Sequence, residues 1–139
     1  ASLSGLANNK GVHLAVEIED ESINVFADVA RLDRVLQNLV GNAILYTPAG
    51  GTVTIRVNEE PNLQVKLAVQ DTGQGIAPED LPYVFEPYFR ATNGARAYHE
   101  GKGLGLAIAS KLLALHESEL TVSSELGKGA RFEFLLPAS

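Results

Sequence analysis

The stretch Asn38-Leu-Val-Gly-Asn42-Ala-Ile-Leu-Tyr46 combines an apolar helical pattern with two amides that are four residues apart. Side chains at that spacing share one face of a helix. Asn is roughly 0.5 kcal/mol or more worse than Ala in a helix interior, so two of them on one face need an explanation. Amide oxygens ligate Mg²⁺ or its waters without adding charge beside phosphates. Exposed or capping amides would produce the same spacing.

The helix around this stretch is predicted to begin after Asp28, a suitable N-cap, and to end near Tyr46. The segment Thr47-Pro48-Ala-Gly-Gly51 then breaks it. Apolar residues recur at helical spacing and predict one buried stripe: Leu32, Val35, Leu36, Leu39 and Ala43. A different face carries Arg34, Asn38, Asn42 and Leu45.

On both sides of this helix, strand-like and helix-like segments are mixed. Strands are predicted over residues 12–19, 23–27, 52–57, 63–69, 120–124 and 130–136. Further predictions are a short helix after Pro78, a loop over 91–103 and a long helix over 104–116. This mixture indicates an α/β sandwich with a mixed sheet. We expect residues 1–10 to be a linker remnant and residues 11–139 to form one domain.

The composition excludes several classes of protein. The 139 residues are 45% apolar, which is enough for a core, and contain no Cys, which excludes disulfides and Cys-based metal sites. The formal net charge of −6 argues against binding to nucleic acid, which needs Lys and Arg on phosphates. Without a leader pattern or a run of 18 apolar residues, this stretch is expected neither to be secreted by its own signal nor to contact a membrane.

A second candidate site residue, Asp71, follows an apolar strand and precedes Thr-Gly73-Gln-Gly75. The glycines let the backbone take positive φ and let a flat ligand approach closely. A carboxylate accepts hydrogen bonds from an exocyclic amine such as that of adenine. An ordinary turn at the end of a strand has the same composition, so both interpretations stay open at this point.

A third candidate is Gly101-Lys102-Gly-Leu-Gly105-Leu106, which opens the last predicted helix. Free N–H groups in the first turn of a helix and the helix dipole bind anions. The pattern does not fit the phosphate loop of nucleotide hydrolases, because Lys102 is followed by Gly and position 96 is Arg. It does not fit the dinucleotide fingerprint either, because position 106 is not Gly. A flexible hinge is the simpler alternative.

Taken in order, five segments resemble the catalytic, ATP-binding domain of sensor histidine kinases, in the superfamily that includes DNA gyrase B, Hsp90 and MutL. Residues 38–47 are similar to the N box, 71–76 to the first glycine box and 85–90 to the F box. Residues 101–108 are similar to the second glycine box, and 124–132 to a terminal one. The resemblance covers roughly residues 10–137.

This resemblance implies a Bergerat-type fold, with a mixed five-stranded sheet on three helices and a mobile ATP lid from about Arg90 to Lys102. It implies that Asn42 ligates Mg²⁺, that Asn38 supports the phosphates or the metal, and that Tyr46 flanks the nucleotide. Asp71 would accept from the adenine amino group. The adenine pocket would be shaped by Gly73, Gly75 and Ile76. Phosphates would be bound by Arg90, Lys102, Gly103, Leu104, Gly105 and Leu106.

The resemblance also implies a reaction. Hydrolytic members carry Glu where this chain has Asn38, and an amide cannot act as a general base. We therefore expect transfer of the γ-phosphoryl group of ATP to a histidine on a separate dimerisation domain, with a response regulator downstream. His13, His99 and His116 lie outside the phosphoacceptor pattern and are expected to be structural or solvated. The expected location is cytoplasmic, which includes the cytoplasmic part of a membrane-bound sensor.

Two positions depart from the family pattern. Leu45 replaces the usual Lys or Arg of the N box, and Ala130 replaces the usual Ser or Thr of the terminal box. A phosphate-facing cation and a hydroxyl are thereby lost. Two other functions stay open: a degenerate module that senses nucleotide, and a serine kinase of the anti-sigma-factor type.

Overall fold

The computed structural model describes residues 3–86 and 105–139. The order of its elements is α1 (Leu3–Lys10), β1 (His13–Ile18), α2 (Val29–Tyr46), β2 (Thr52–Glu60), β3 (Gln64–Asp71), a short 3-10 helix (Leu81–Tyr83), α3 (Gly105–Ala114), β4 (Thr121–Glu125) and β5 (Gly129–Pro137). The long helices and both hairpins lie where the sequence predicts them, with ends displaced by a few residues.

The five strands form one mixed sheet in the order β1-β2-β3-β5-β4. Strand β1 is parallel to β2, and every other neighbouring pair is antiparallel. With the three α-helices of the described residues, this sheet confirms the predicted α/β sandwich. One end of the sheet collects the last residue of β3 and the first residues of β2 and β5, and that end carries the candidate site.

Helix α2 is the central element of the helical layer. The side chain of Asp28 accepts a hydrogen bond of 2.9 Å from the backbone N–H of Arg31, as expected of an N-cap. Val35, Leu39 and Ala43 are buried in the core, which confirms the apolar stripe. Their packing against the apolar face of the sheet leaves the amides of α2 off the core.

The opposite face of the sheet is polar. There, Lys66 Nζ lies 3.3 Å from Glu133 Oε2, and Arg131 Nε lies 3.3 Å from Glu133 Oε1. Since these pairs are partly exposed, they add little to stability. The apolar contacts of the other face therefore hold the fold together.

The prediction of a strand over residues 23–27 is wrong. Only an isolated bridge forms, between Val25 and Ala138. The neighbouring Pro137 accepts from the N–H of Phe26 but has no N–H to return, so the ladder does not extend. Hydrogen bonds from the backbone N–H and the hydroxyl of Ser22 to Asp20 keep the preceding residues in a turn.

Within the segment predicted to be a linker remnant, residues Leu3–Lys10 form helix α1. Ala7 is buried against the core, and Gly11, with φ of 81°, ends the helix as Val12 N–H donates to Ala7 O. The segment has too few apolar residues to show a helical period. Its helix depends on packing against α2, which a local pattern does not reveal. The start of the domain at residue 11 stays a prediction.

Candidate functional site

Asp71, the last residue of β3, is the best-defined side chain of the candidate site. It is 3% exposed, and its Oδ1 accepts hydrogen bonds from Gly73 N–H at 2.8 Å and Ala130 N–H at 3.2 Å. Its Oδ2 accepts none from the part of the chain that the structure describes. Burial raises the pKa of the Asp71 carboxyl, and the two backbone hydrogen bonds oppose that rise. One oxygen is thus fixed, while the other is available to a donor.

Two glycines make the position of Asp71 possible. A Cβ on Gly73 would lie 2.4 Å from the carbonyl oxygen of Tyr46, at the end of α2. A Cβ on Gly129, whose φ is 92°, would lie 2.0 Å from the carbonyl oxygen of Asp71 itself. Any side chain at either position would push apart the elements that meet at Asp71.

The turn after Asp71 is fastened to the β4–β5 hairpin. Gly127 N–H donates to Gln74 O at 2.7 Å, and Ile76 N–H donates to the hydroxyl of Ser124 at 2.8 Å. That hydroxyl donates in turn to Gly129 O at 2.7 Å. Ile76 is buried and Gly75, with φ of 77°, packs against Glu125 O, so both belong to the frame of the turn.

The support from Ser124 and from the N–H of Ala130 was missed by sequence reasoning. The terminal glycine box was the available signal, because it contains both residues. The sequence pattern at position 130 concerns a side-chain hydroxyl, which Ala130 lacks. The contribution of Ala130 in the structure is its backbone N–H, which donates to Asp71 Oδ1. A backbone contribution leaves no trace in residue type.

The two asparagines of α2 lie one turn apart, and Asn38 is close to Gly105 of α3. Both are half-buried, and neither side chain has a hydrogen-bond partner within residues 3–86 and 105–139. A Cβ on Gly105 would lie 3.5 Å from Asn38 Oδ1, so the N box and the first residue of α3 are neighbours. Among the described residues, the two amides are therefore available to a ligand near the N-terminal end of α3.

Other predicted site residues are placed as follows. Tyr46 is the last residue of α2, half-buried, with its carbonyl against Gly73. The side chain of Leu106 is buried in the core, so only its backbone is left for a ligand. Outside the described residues lie Arg90, Lys102, Gly103, Leu104 and the predicted lid.

The F box and the histidines are only partly described. Phe85 makes an edge-to-face contact with Phe132, with ring centroids 6.1 Å apart, which attaches the start of the F box to the sheet. His116 joins two helix ends, since its Nε2 accepts from Asp28 N–H at 3.1 Å and its Nδ1 lies 3.0 Å from Leu112 O. This is the structural role expected of it, while His13 is exposed and His99 lies outside the described residues.

Among the described residues, no helix has the length and apolar character required to cross a bilayer. Nor do these residues contain a group of three or more His, Cys, Asp or Glu side chains able to hold a metal ion.

Comparison with known proteins agrees with this geometry. Residues 27–139 match the family model "Histidine kinase-, DNA gyrase B-, and HSP90-like ATPase". The chain is 35% identical over 93% of its length to the adaptive-response sensory kinase SasA of Synechococcus elongatus, and 37% identical over 91% to the sensor histidine kinase RppB of Synechocystis. It spans only 33% and 28% of those two proteins.

A solved structure is similar over nearly the whole chain. Full-length ShkA in complex with AMPPNP superposes with a TM-score of 0.84 at 34% identity, covering 99% of this chain and 28% of ShkA. The mixed sheet and helices described above are thus the Bergerat fold of histidine kinase ATPase domains. The chain belongs to the family of histidine kinase-, DNA gyrase B- and HSP90-like ATPases.

Proposed function

We propose that this chain is the ATP-binding catalytic domain of a two-component sensor histidine kinase, and that it donates the γ-phosphoryl group of ATP to a histidine on a separate dimerisation domain. The observation that carries the proposal is the buried Asp71, with one oxygen fixed by two backbone N–H groups and the other available. Family membership and the resemblance to AMPPNP-bound ShkA support the same conclusion.

We call Asp71, Gly73, Gly75, Ile76 and Ala130 the adenine end of the site. The available oxygen of Asp71 accepts from the exocyclic amine of adenine, and Tyr46 flanks the base. Because the turn is held from both β5 and β4, the acceptor does not have to be ordered when the base arrives. Gly73, which packs directly against Tyr46 O, keeps the turn after Asp71 close to the end of α2.

We call Asn38, Asn42 and the beginning of α3 the phosphate end. Asn42 would hold Mg²⁺ through its amide oxygen, with Asn38 on the phosphates or the metal. The two amides, which have no partner within residues 3–86 and 105–139, fit that ion, because Mg²⁺ prefers oxygen ligands and keeps several waters. When bound, Mg²⁺ neutralises charge that develops on the phosphates. The backbone of Gly103, Leu104, Gly105 and Leu106 and the cations Arg90 and Lys102 complete this end.

The chemistry follows from what the phosphate end lacks. Asn38 cannot take a proton from water, so the site positions ATP and does not activate a hydrolytic nucleophile. A neutral imidazole nitrogen from the dimerisation domain attacks the γ-phosphorus, the bond from that phosphorus to the bridging oxygen breaks, and ADP leaves. Positioning and charge neutralisation supply most of the rate. A response regulator then receives the phosphoryl group, and this chain acts in the cytoplasm, where it belongs to a cytoplasmic kinase or to the cytoplasmic part of a membrane-bound sensor.

Two observations favour a second function, a module that binds nucleotide without transferring phosphate. Leu45, half-buried on α2 near the phosphate end, brings no cation to the site. The methyl group of Ala130 brings no hydroxyl to the adenine end. Both losses weaken binding without removing either end of the site.

Labelled ATP distinguishes the two functions. The chain is mixed with the dimerisation domain of its own kinase, Mg²⁺ and ATP labelled at the γ-phosphate. We expect an acid-labile phosphohistidine on the dimerisation domain, and none with Asp71→Asn at low ATP. ATP binding by calorimetry without any label on a folded partner would replace the kinase proposal with the sensing module.

A further inference from the structure

Helix α1 makes a polar contact with the end of α2 that no part of the proposed reaction uses. The ammonium group of Lys10 donates to two carbonyl oxygens in the last turn of α2, Ile44 O at 2.9 Å and Leu45 O at 2.6 Å. Lys10 is itself only partly exposed, and its two acceptors are 34 and 35 residues away in sequence. The contact therefore fixes one helix against another.

The end of α2 needs such a contact. The last carbonyls of a helix have no partner within it, and the helix dipole places negative charge there. The last turn of α2 has no basic residue of its own, and Thr47 N–H reaches only Ile44 O, at 3.3 Å. Lys10 thus supplies both the missing donors and the missing positive charge.

The carbonyl that follows these two lies against the adenine end. A Cβ on Gly73 would meet Tyr46 O at 2.4 Å, so the last turn of α2 and the turn after Asp71 are packed without a gap. A shift of a few tenths of an ångström in this turn of α2 must be passed on to Gly73, whose N–H holds Asp71 Oδ1.

A second connection runs in parallel through the backbone next to Lys10. Gly50 N–H donates to Gly11 O at 2.8 Å, and His13 N–H donates to Gly51 O at 2.9 Å. A Cβ on Gly51 would lie 2.9 Å from the hydroxyl of Thr72, the residue between Asp71 and Gly73. The end of α1 is therefore connected to the turn after Asp71 in two places, at Thr72 through Gly51 and at Gly73 through the last turn of α2.

We propose that Lys10 is a positioning residue for the nucleotide: it holds the last turn of α2 against Gly73, and α1 thereby sets the affinity of the adenine end. The inference rests on the proposed function for the identity of the ligand. It concerns a residue outside the segment 27–139 that matches the family model. Because Lys10 acts on the adenine end, which ATP and ADP share, its loss lowers the affinity for both nucleotides by the same factor.

Calorimetric titrations with ATP and ADP, well below the unfolding temperature of each variant, test this. We expect Lys10→Met to lower the affinity for ATP and the affinity for ADP about fivefold each, so that their ratio does not change. Lys10→Arg, which keeps the cation and its donors, restores most of the affinity. The matched control is Lys111→Met, which removes an exposed lysine from the last turn of α3 and leaves both affinities unchanged.

Amide spectra without nucleotide separate this inference from the proposed function. We expect Lys10→Met to shift the backbone amide signals of Thr72 and Gly73, and Lys111→Met to leave them in place. If Lys10→Met does not fold, Lys10→Gln, which keeps a donor without charge, replaces it with the same expectation at smaller amplitude. Unshifted signals and wild-type affinity with only a lower Tm would overturn the inference. A wild-type chain that binds no ATP would overturn the proposed function instead.

Discussion

The two ends of the proposed site use different chemical groups: the adenine end depends mainly on the backbone, and the phosphate end on side chains. At the adenine end, backbone N–H groups and close glycine contacts from β3, β4, β5 and α2 fix a single carboxylate. At the phosphate end, Asn38 lies beside Gly105 of α3, and the side chains of Asn38 and Asn42 have no hydrogen-bond partner among the described residues. The adenine end is therefore part of the fold, and damage to it should reach stability. The phosphate end can vary with smaller consequences for folding.

The largest effect is expected from Gly129→Ala, which inserts a methyl group 2.0 Å from Asp71 O at a φ of 92°. The adenine end cannot form around this methyl group. We therefore expect the free energy of unfolding to fall by about 3 kcal/mol or more, and ATP binding to be lost. Denaturant titration measures the first quantity. Gly127→Ala is the matched control: its φ is 82°, but nothing lies within 4 Å, so only about 1–2 kcal/mol of backbone strain is expected. Equal losses in both variants would show that the packing at Asp71 is unimportant.

Asp71→Asn separates binding from folding at the same end. The amide oxygen still accepts from Gly73 and Ala130, which directs the new NH₂ group at the adenine amine. Two donors then face each other, and we expect ATP affinity to fall about 10- to 100-fold by calorimetry while the unfolding midpoint changes little. Unchanged affinity would remove adenine from this end.

The pH dependence of nucleotide binding also tests the role of the Asp71 carboxylate. Since burial raises the pKa of Asp71, the carboxylate takes up a proton at a higher pH in the folded chain than in the unfolded one. Its ionised form is therefore unfavourable to folding, so its contribution to stability improves as pH falls through the folded pKa. Nucleotide affinity changes in the opposite direction, because the protonated carboxyl is a poorer acceptor.

The measurement is ATP affinity of wild type and Asp71→Asn over a pH series. We expect the wild-type advantage to shrink as pH falls and to begin shrinking above the usual range of an aspartate. The variant corrects for the titration of ATP itself. An advantage that stays constant across the series would contradict the role of the ionised carboxylate.

The smallest effect is expected at the phosphate end. Leu45→Lys restores the cation usual in the family, and we expect about a threefold gain in affinity for ATP, with less for ADP, because a charge pair that stays partly exposed contributes little. Leu45→Gln, similar in length but neutral, serves as the control in the same titrations. A gain in both variants, or in neither, would argue that this face of α2 does not meet phosphate.

Much of the fold follows from patterns in the sequence. The stripe from Leu32 to Ala43 and the cap at Asp28 predict α2, and alternating apolar residues predict both hairpins. Helix α1 and the false strand at residues 23–27 could not be predicted in this way. The first depends on tertiary packing and on Lys10, and the second on the missing N–H of Pro137.

The candidate site also has features that local sequence patterns predict and features that depend on tertiary packing. Side chains that are proposed to bind directly, such as Asp71 and Asn42, have residue types that suggest their chemistry, and their roles stay predictions. The supporting contacts from Ala130 N–H, the Ser124 hydroxyl and Lys10 depend on which segments meet in space. Residue type alone does not encode those meetings.

The most direct test of a site with two ends compares adenosine and Mg²⁺-ATP in amide spectra of this chain. We expect adenosine to shift the signals of Gly73, Ile76 and Ala130 only. Mg²⁺-ATP should shift the same signals and, in addition, the side-chain amides of Asn38 and Asn42 and the backbone amide of Gly105. If adenosine instead perturbs the asparagines, or if Mg²⁺-ATP leaves Gly73 and Ala130 unmoved, the assignment of Asp71 to adenine and of α2 to the phosphates is contradicted.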